Sequence, residues 1–155
     1  MTVVLNGVDG IRARLGEHLG YSDYITITQE EIDRYAELSG DHQWIHVDPV
    51  RAASGPFGTT IAHGMLTLAK TPVLAPTIYR IDGMAMGVHY GYAKIRFPSP
   101  VPVGSRIRLG VTLQDCADVS RGVQVTLEFA VEVEGASRPA CVAEMLLRYT
   151  PHEKD

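Results

Sequence analysis

Four stretches in the second half of the chain, residues 86–97, 105–114, 122–134 and 140–149, each read as a long strand, and they follow one another without an intervening helical pattern. Alternation is clearest in Val123-Gln124-Val125-Thr126-Leu127-Glu128-Phe129, where apolar and polar side chains take turns. Residues 98–104, rich in proline and closed by Gly104, and the pair Glu134-Gly135 supply turns between these stretches. Strands gathered behind helices, rather than alternating with them, argue against a doubly wound parallel sheet and for an α+β fold.

The helices precede them. Thr28-Gln29-Glu30-Glu31 has the form of a capping box, and Ile32, Tyr35, Ala36 and Leu38 recur at helical spacing until Gly40 offers a stop. Residues 41–48 then read as a loop, and Asp48-Pro49 as the N-cap and first position of another helix. After the turn-rich residues 55–60, Ile61-Ala62-His63-Gly64-Met65-Leu66-Thr67-Leu68-Ala69 is an almost uniformly apolar run, as a buried helix or strand would be. Pro72 and Pro76 should end or kink a helix that starts near Ile61.

Two short segments carry candidate chemistry. Asp41 and His46 share the loop, where a turn could bring a carboxylate and an imidazole to one point as a general acid/base pair. The plainer alternative is that Asp41 bonds local amides and His46 is a satisfied polar residue. Gly64, near the start of a buried helix, would leave its N–H free for an anion or carbonyl beyond the helix end; equally, glycine there permits close packing. His63 beside the apolar run reads more readily as a hydrogen-bonded structural histidine than as a catalyst.

The order Asp41-x4-His46-x-Asp48-Pro49, a short Ala52-Ala53 helix, and then Phe57-Gly58-x-x-Ile61-Ala62-His63-Gly64-Met65-Leu66 resembles the MaoC-like dehydratases, the family that contains the R-specific enoyl-CoA hydratases. Gly40-Asp41-His42-Gln43-Trp44-Ile45-His46 is similar to the same stretch in small single-domain actinobacterial and nodulation-protein-N-like members, and the likeness runs on through residues 90–98 and 101–104. The resemblance implies a hot-dog fold, with a long central helix wrapped by a curved antiparallel sheet, assembled as a homodimer. It implies hydration of a trans-2-enoyl-CoA to an (R)-3-hydroxyacyl-CoA, with Asp41 and His46 holding the water and the Gly64 N–H donating to the thioester oxygen. Neither a metal nor a redox cofactor is expected; CoA is part of the substrate. The alternatives are dehydration of 3-hydroxyacyl thioesters on acyl carrier protein and a non-catalytic acyl-binding subunit. Tyr35, Trp44, Phe57, Met65, Met84 and Met86 are conceivable walls of an acyl tunnel and equally ordinary core, so no substrate-binding residue is assigned. Two departures stand out: Gln43-Trp44 replaces Asn-Pro, and His89 and Ala93 occupy places where relatives often carry asparagine.

Composition is compatible with this picture. At 155 residues and 45% hydrophobic content, one domain over residues 1–155 can form a core, with residues 1–20 and 151–155 expected to be peripheral. A net charge of −4 with dispersed signs gives no basic stripe for nucleic acid. No signal-peptide pattern and no long uncharged apolar stretch is present, so a membrane span is not expected and the cytoplasm is the expected setting. Cys116 and Cys141 read as small core residues rather than a disulfide. The six histidines, His18, His42, His46, His63, His89 and His152, show no metal-ligand spacing, and no phosphate loop or nucleophile elbow is present.

Overall fold

The computed structural model describes residues 1–152. Its main sheet is antiparallel, in the order β2-β6-β7-β8-β5, from β2 (His18–Tyr21), β5 (Met86–Arg96), β6 (Arg106–Val119), β7 (Gly122–Val133) and β8 (Cys141–Thr150), with β3 (Ile25–Thr26) also pairing β6. All four strands expected from the sequence are present. The alternation in β7 explains its placement: Val123, Val125, Leu127, Phe129 and Val131 are buried, while the residues between them are half-buried on the other face. Register completes the core, setting Phe129 opposite Val111 of β6 and Ala143 of β8.

The sheet folds around a pair of helices, α5 (Gly64–Ala69) meeting β8 and α6 (Thr71–Ile78) meeting β6 and β2. Leu66, Leu68, Leu74, Ala75 and Ile78 join the strand residues in one apolar core. This is the α+β, hot-dog arrangement, with the central helix divided into two segments. Pro72 has no N–H to offer the Leu68 carbonyl; the Thr71 hydroxyl donates to that carbonyl instead, at 2.8 Å, and α5 ends there. Pro76 lies inside α6.

The N-terminal segment is less peripheral than expected. β1 (Val3–Asn6) pairs in parallel with β4 (Tyr79–Asp82), and α1 (Gly7–Arg12) follows, so that Leu5 and Ile11 are fully buried. Elements of four and six residues are too short to show a period, which is why sequence patterning passed over them. At the other end Pro151 and His152 are exposed; the remainder of the expected peripheral tail, residues 153–155, lies outside the described residues. Cys116 and Cys141 are free and buried, and burial pushes the Cys141 thiol up to about 11. No helix among the described residues is long and apolar enough to cross a membrane.

Candidate active site

Asp41 owes its position to the end of α2 (Gln29–Ser39). The capping box forms at the start of that helix, with Glu31 N–H donating to Thr28 Oγ1 and Thr28 N–H to Glu31 Oε2. Gly40 closes the helix with φ 78°, a left-handed turn that a side chain would resist, and its N–H donates to the Ala36 carbonyl at 2.8 Å. Asp41 follows at once, exposed, with Oδ1 accepting from Gln43 N–H at 3.2 Å. The local-turn interaction is therefore real, and it leaves the second carboxylate oxygen free of protein partners among the described residues.

His46 does not sit in a loop as the sequence suggests. Residues Trp44–Val47 form a single helical turn, α3, followed by α4 (Pro49–Ala53), which Asp48 caps by accepting from Arg51 N–H at 3.0 Å. One turn is below the length at which apolar spacing can be read. The His46 side chain is buried, and Nδ1–H donates to the Ile61 carbonyl at 2.6 Å, which leaves the lone pair on Nε2. Its backbone is held as well: Gln29 Nε2 donates to the His46 carbonyl at 2.8 Å, and Thr60 Oγ1 donates to Gln29 Oε1 at 2.5 Å. Sequence reading found neither Gln29 nor Thr60, because a polar residue at a helix start carries no mark of a partner so far along the chain.

His63 was expected to be a hydrogen-bonded structural residue, and it is hydrogen-bonded, but to the candidate site itself. Its Nε2–H donates to the Asp41 main-chain carbonyl at 2.9 Å, and its ring stacks on His46 with centroids 3.8 Å apart and planes 24° from parallel. Side-chain donor atoms of Asp41, His46 and His63 all lie within 4.8 Å of one another. A single water bonded to two of them at ordinary lengths of roughly 2.7–3.0 Å spans such a gap. Burial is the largest influence on His46 and lowers its pKa; the Ile61 carbonyl opposes this, His63 adds to it, and Asp41 works against it. His42, four residues before His46, faces outward to the Glu37 carboxylate, 2.9 Å away, and that contact raises its pKa.

The three donors also raise the question of a metal. In both histidines one ring nitrogen donates to a main-chain carbonyl, as metal-bound imidazoles commonly do. A shared ion would have to lie in the plane of each ring, however, and stacked rings have nearly parallel planes that do not meet at bonding distance. As arranged, the cluster suits proton transfer better than coordination.

Gly64 is the first residue of α5, so its N–H has no acceptor within the helix. Its backbone is not left-handed, and the missing side chain has a packing cause: a Cβ there would come 2.9 Å from the Phe97 ring. Both sequence readings of this glycine are thus compatible with the structure. Phe97 borders two cavities that meet at the site. One, about 200 Å³, is lined by Tyr35, Asp41, His46, His63, Gly64 and Met65; the other, about 260 Å³, by His46, Phe57, Ile61, Gly64, Thr67 and Pro98 among others. Of the conceivable tunnel walls, Tyr35, Phe57 and Met65 line these cavities. Trp44 instead packs against Gly55 and beneath Arg51, whose guanidinium lies 4.3 Å from the ring. Met84 and Met86 border neither cavity, and of the departures from the family pattern His89 and Ala93 lie on β5 away from both. A further cavity, about 350 Å³ between α6 and β8, is lined by none of Asp41, His46 and Gly64.

Comparison with known proteins agrees with this architecture. The family model described as MaoC like domain matches residues 11–134. The chain is 54% identical over 143 residues to 3-hydroxyacyl-thioester dehydratase Z of Mycobacterium tuberculosis, covering 92% of this chain and 95% of that protein. It is 40% identical over 149 residues to nodulation protein N of Rhizobium leguminosarum bv. viciae, covering 93% and 92%. Among solved structures, an R-hydratase of Pseudomonas aeruginosa superposes with a TM-score of 0.71 at 23% identity, over 90% of this chain and 83% of that one, a likeness of fold.

Proposed function

Because the chain belongs to the family of MaoC-like domains, we propose that it is a hydro-lyase that adds water reversibly to trans-2-enoyl-CoA, giving (R)-3-hydroxyacyl-CoA. The observation that carries this reading is the meeting of Asp41, His46 and the Gly64 N–H around cavities that an acyl thioester could enter. An isolated alkene accepts water poorly. Conjugation to a thioester carbonyl lets the charge that develops during attack at the β-carbon spread onto oxygen, so the enzyme must orient a water, manage its proton and stabilise an enolate-like oxygen.

Asp41 takes a proton from the water as the water oxygen bonds to the β-carbon and the π electrons move toward the carbonyl. The Gly64 N–H donates to that oxygen. His46, with its proton fixed on Nδ1 by Ile61, presents Nε2 to the water; it accepts there the proton that Asp41 has taken up and passes it to the α-carbon, so that hydroxyl and proton of one water are both delivered and both residues return to their starting state. The lowered pKa of His46 supports an unprotonated Nε2 at neutral pH. Adding water across the double bond involves no net oxidation or reduction, and the reaction proposed calls for no metal or redox cofactor. In the reverse direction the same groups would dehydrate a 3-hydroxyacyl thioester.

The working assembly in this proposal is a homodimer in the cytoplasm. β5 lies at the sheet edge, hydrogen-bonded only to β8 among the described residues, and it is exposed or half-buried along its whole length, unlike β7. A second copy of the chain pairing there would cover that edge. The deciding experiment is hydration of crotonyl-CoA, followed as loss of the enoyl-thioester absorbance with the product's chirality determined. R-product from the CoA thioester supports the proposal. Turnover of only the acyl-carrier-protein thioester would transfer the reaction to that carrier, and binding without turnover would make the chain a non-catalytic subunit.

A further inference from the structure

His63 has no task in the proton transfers just described, yet it touches both residues that carry them. Its Nε2–H ends on the Asp41 main-chain carbonyl, one ring face lies on His46, and Tyr35 packs beside it with centroids 4.8 Å apart. A hydrocarbon ring would supply the stack, and an amide would supply the donor. Histidine supplies both, and it does so while Nδ1 remains buried without a hydrogen-bond partner, an arrangement that ordinarily costs stability. Packing alone would be served better by an apolar side chain.

The hydrogen bonds of the Asp41 loop say what the arrangement secures. Gly40 N–H goes to Ala36, Asp41 N–H to Ser39, His42 to Gly40 and Glu37, Gln43 N–H to Asp41, and the Gln43 carbonyl accepts from His46. Among the described residues, every bond made by residues 40–43 thus stays between Ala36 and His46, with one exception. The exception is His63, which ties the loop to the chain entering α5, where Gly64 stands.

We infer that His63 is a positioning residue of the hydration reaction: it fixes the Asp41 backbone against the His46 imidazole through one hydrogen bond and one ring stack. The inference rests on the proposed roles of Asp41 and His46. Misplacing a reacting group by about 1 Å can cost about 100-fold in rate, so a single tether of this kind has a measurable effect.

His63→Gln and His63→Met test it as a pair, since the two side chains have nearly the same shape, neither stacks as a ring, and glutamine alone can donate to the Asp41 carbonyl. With crotonyl-CoA, His63→Met should lose roughly 10–100-fold in kcat with little change in KM, and His63→Gln should recover a large part of that loss. In the Asp41→Asn background the difference between Met and Gln should vanish, because the tether then holds nothing that reacts. Equal rates for folded His63→Met and His63→Gln, or a difference that persists undiminished with Asp41→Asn, would overturn the inference. The wild-type protein gives an independent check if a variant fails to fold: nitrogen NMR of the His63 ring should find the proton on Nε2, and a proton on Nδ1 instead would remove the donor and the proposal with it. Full activity in Asp41→Asn would sink the reading of the site; loss of activity there combined with equal Met and Gln rates would sink only the role of His63.

Discussion

Along β7, withdrawal of every second side chain from solvent repeats from Val123 to Val131, so each buried position is supported by neighbours two residues away and by partners on β6 and β8. Between Gly40 and Gly64 no pattern persists beyond a short helix. There Asp41 follows a left-handed glycine, His46 sits on one helical turn, and His63 precedes α5, yet their side chains meet within 4.8 Å. The sheet spreads its stabilisation over many interchangeable apolar contacts, whereas the site depends on a few directed hydrogen bonds. Substitutions should therefore separate the regions, with damage to the sheet appearing in stability and damage to the loops in rate.

The largest separation should come from Asp41→Asn and His46→Gln. Each is expected to lower crotonyl-CoA hydration by about 10²–10⁴-fold, equivalent to roughly 3–5 kcal/mol of transition-state stabilisation. Asp41 is exposed, so Asp41→Asn should melt close to the wild type. If both residues hold one water, the double variant should be little worse than either single one. An Asp41→Asn protein that melts normally and turns over normally would break the comparison at its centre.

Phe129→Ala is the converse. It empties a buried site in β7 and should cost about 3–5 kcal/mol in denaturant unfolding, while molecules that remain folded keep much of their turnover rate. Gly64 comes next, because alanine and proline there would both drive a Cβ toward Phe97 and differ chiefly in the N–H. His63 precedes it with φ −58° and ψ 137°, an extended conformation that suits the residue before proline, and proline is welcome at a first helical position. Gly64→Pro should be slower than Gly64→Ala by about 10²–10³-fold if the N–H stabilises the oxyanion. Equal rates in two folded variants would require a different donor.

A smaller effect concerns pH. The pKa of His46 is lowered in the folded chain from an ordinary 6.5, so as pH falls the unfolded chain takes up this proton first. Its stabilising contribution is present in full above about 6.5 and is lost as pH falls through the lower folded value. The exposed His42 has the opposite sign, its contribution being lost as pH rises through a raised value. Subtracting the unfolding free energies of His46→Gln from those of the wild type across this range should isolate the His46 contribution, rising with pH; a flat difference would contradict the lowered pKa. The smallest change should be at the surface: Arg106→Ala breaks a half-exposed pair between the start of β6 and Glu134, the residue after β7, worth about 0–1 kcal/mol and less at high salt.

Much of this molecule was legible in its sequence where a period or a cap spoke for itself. Alternation marked β5 to β8, the Thr28–Glu31 capping box and Gly40 bounded α2, Asp48-Pro49 announced α4, and Pro72 divided the central helix, because each of these is decided by residues within a few positions of one another. The resemblance to a known family then singled out Asp41, His46 and Gly64 from a chain whose spacing alone left them ambiguous. What only the tertiary structure decided was which distant groups complete those positions. Leu5 and Ile11 enter the core through a parallel pairing of β1 with β4; Gln29 and Thr60 hold the His46 backbone; Phe97 explains why residue 64 lacks a side chain; and His63 reaches back to Asp41. Each of these contacts joins segments well separated along the chain. A hydrogen bond or ring contact of that kind leaves no periodic trace in either segment, so it becomes visible only when the fold has brought the two together.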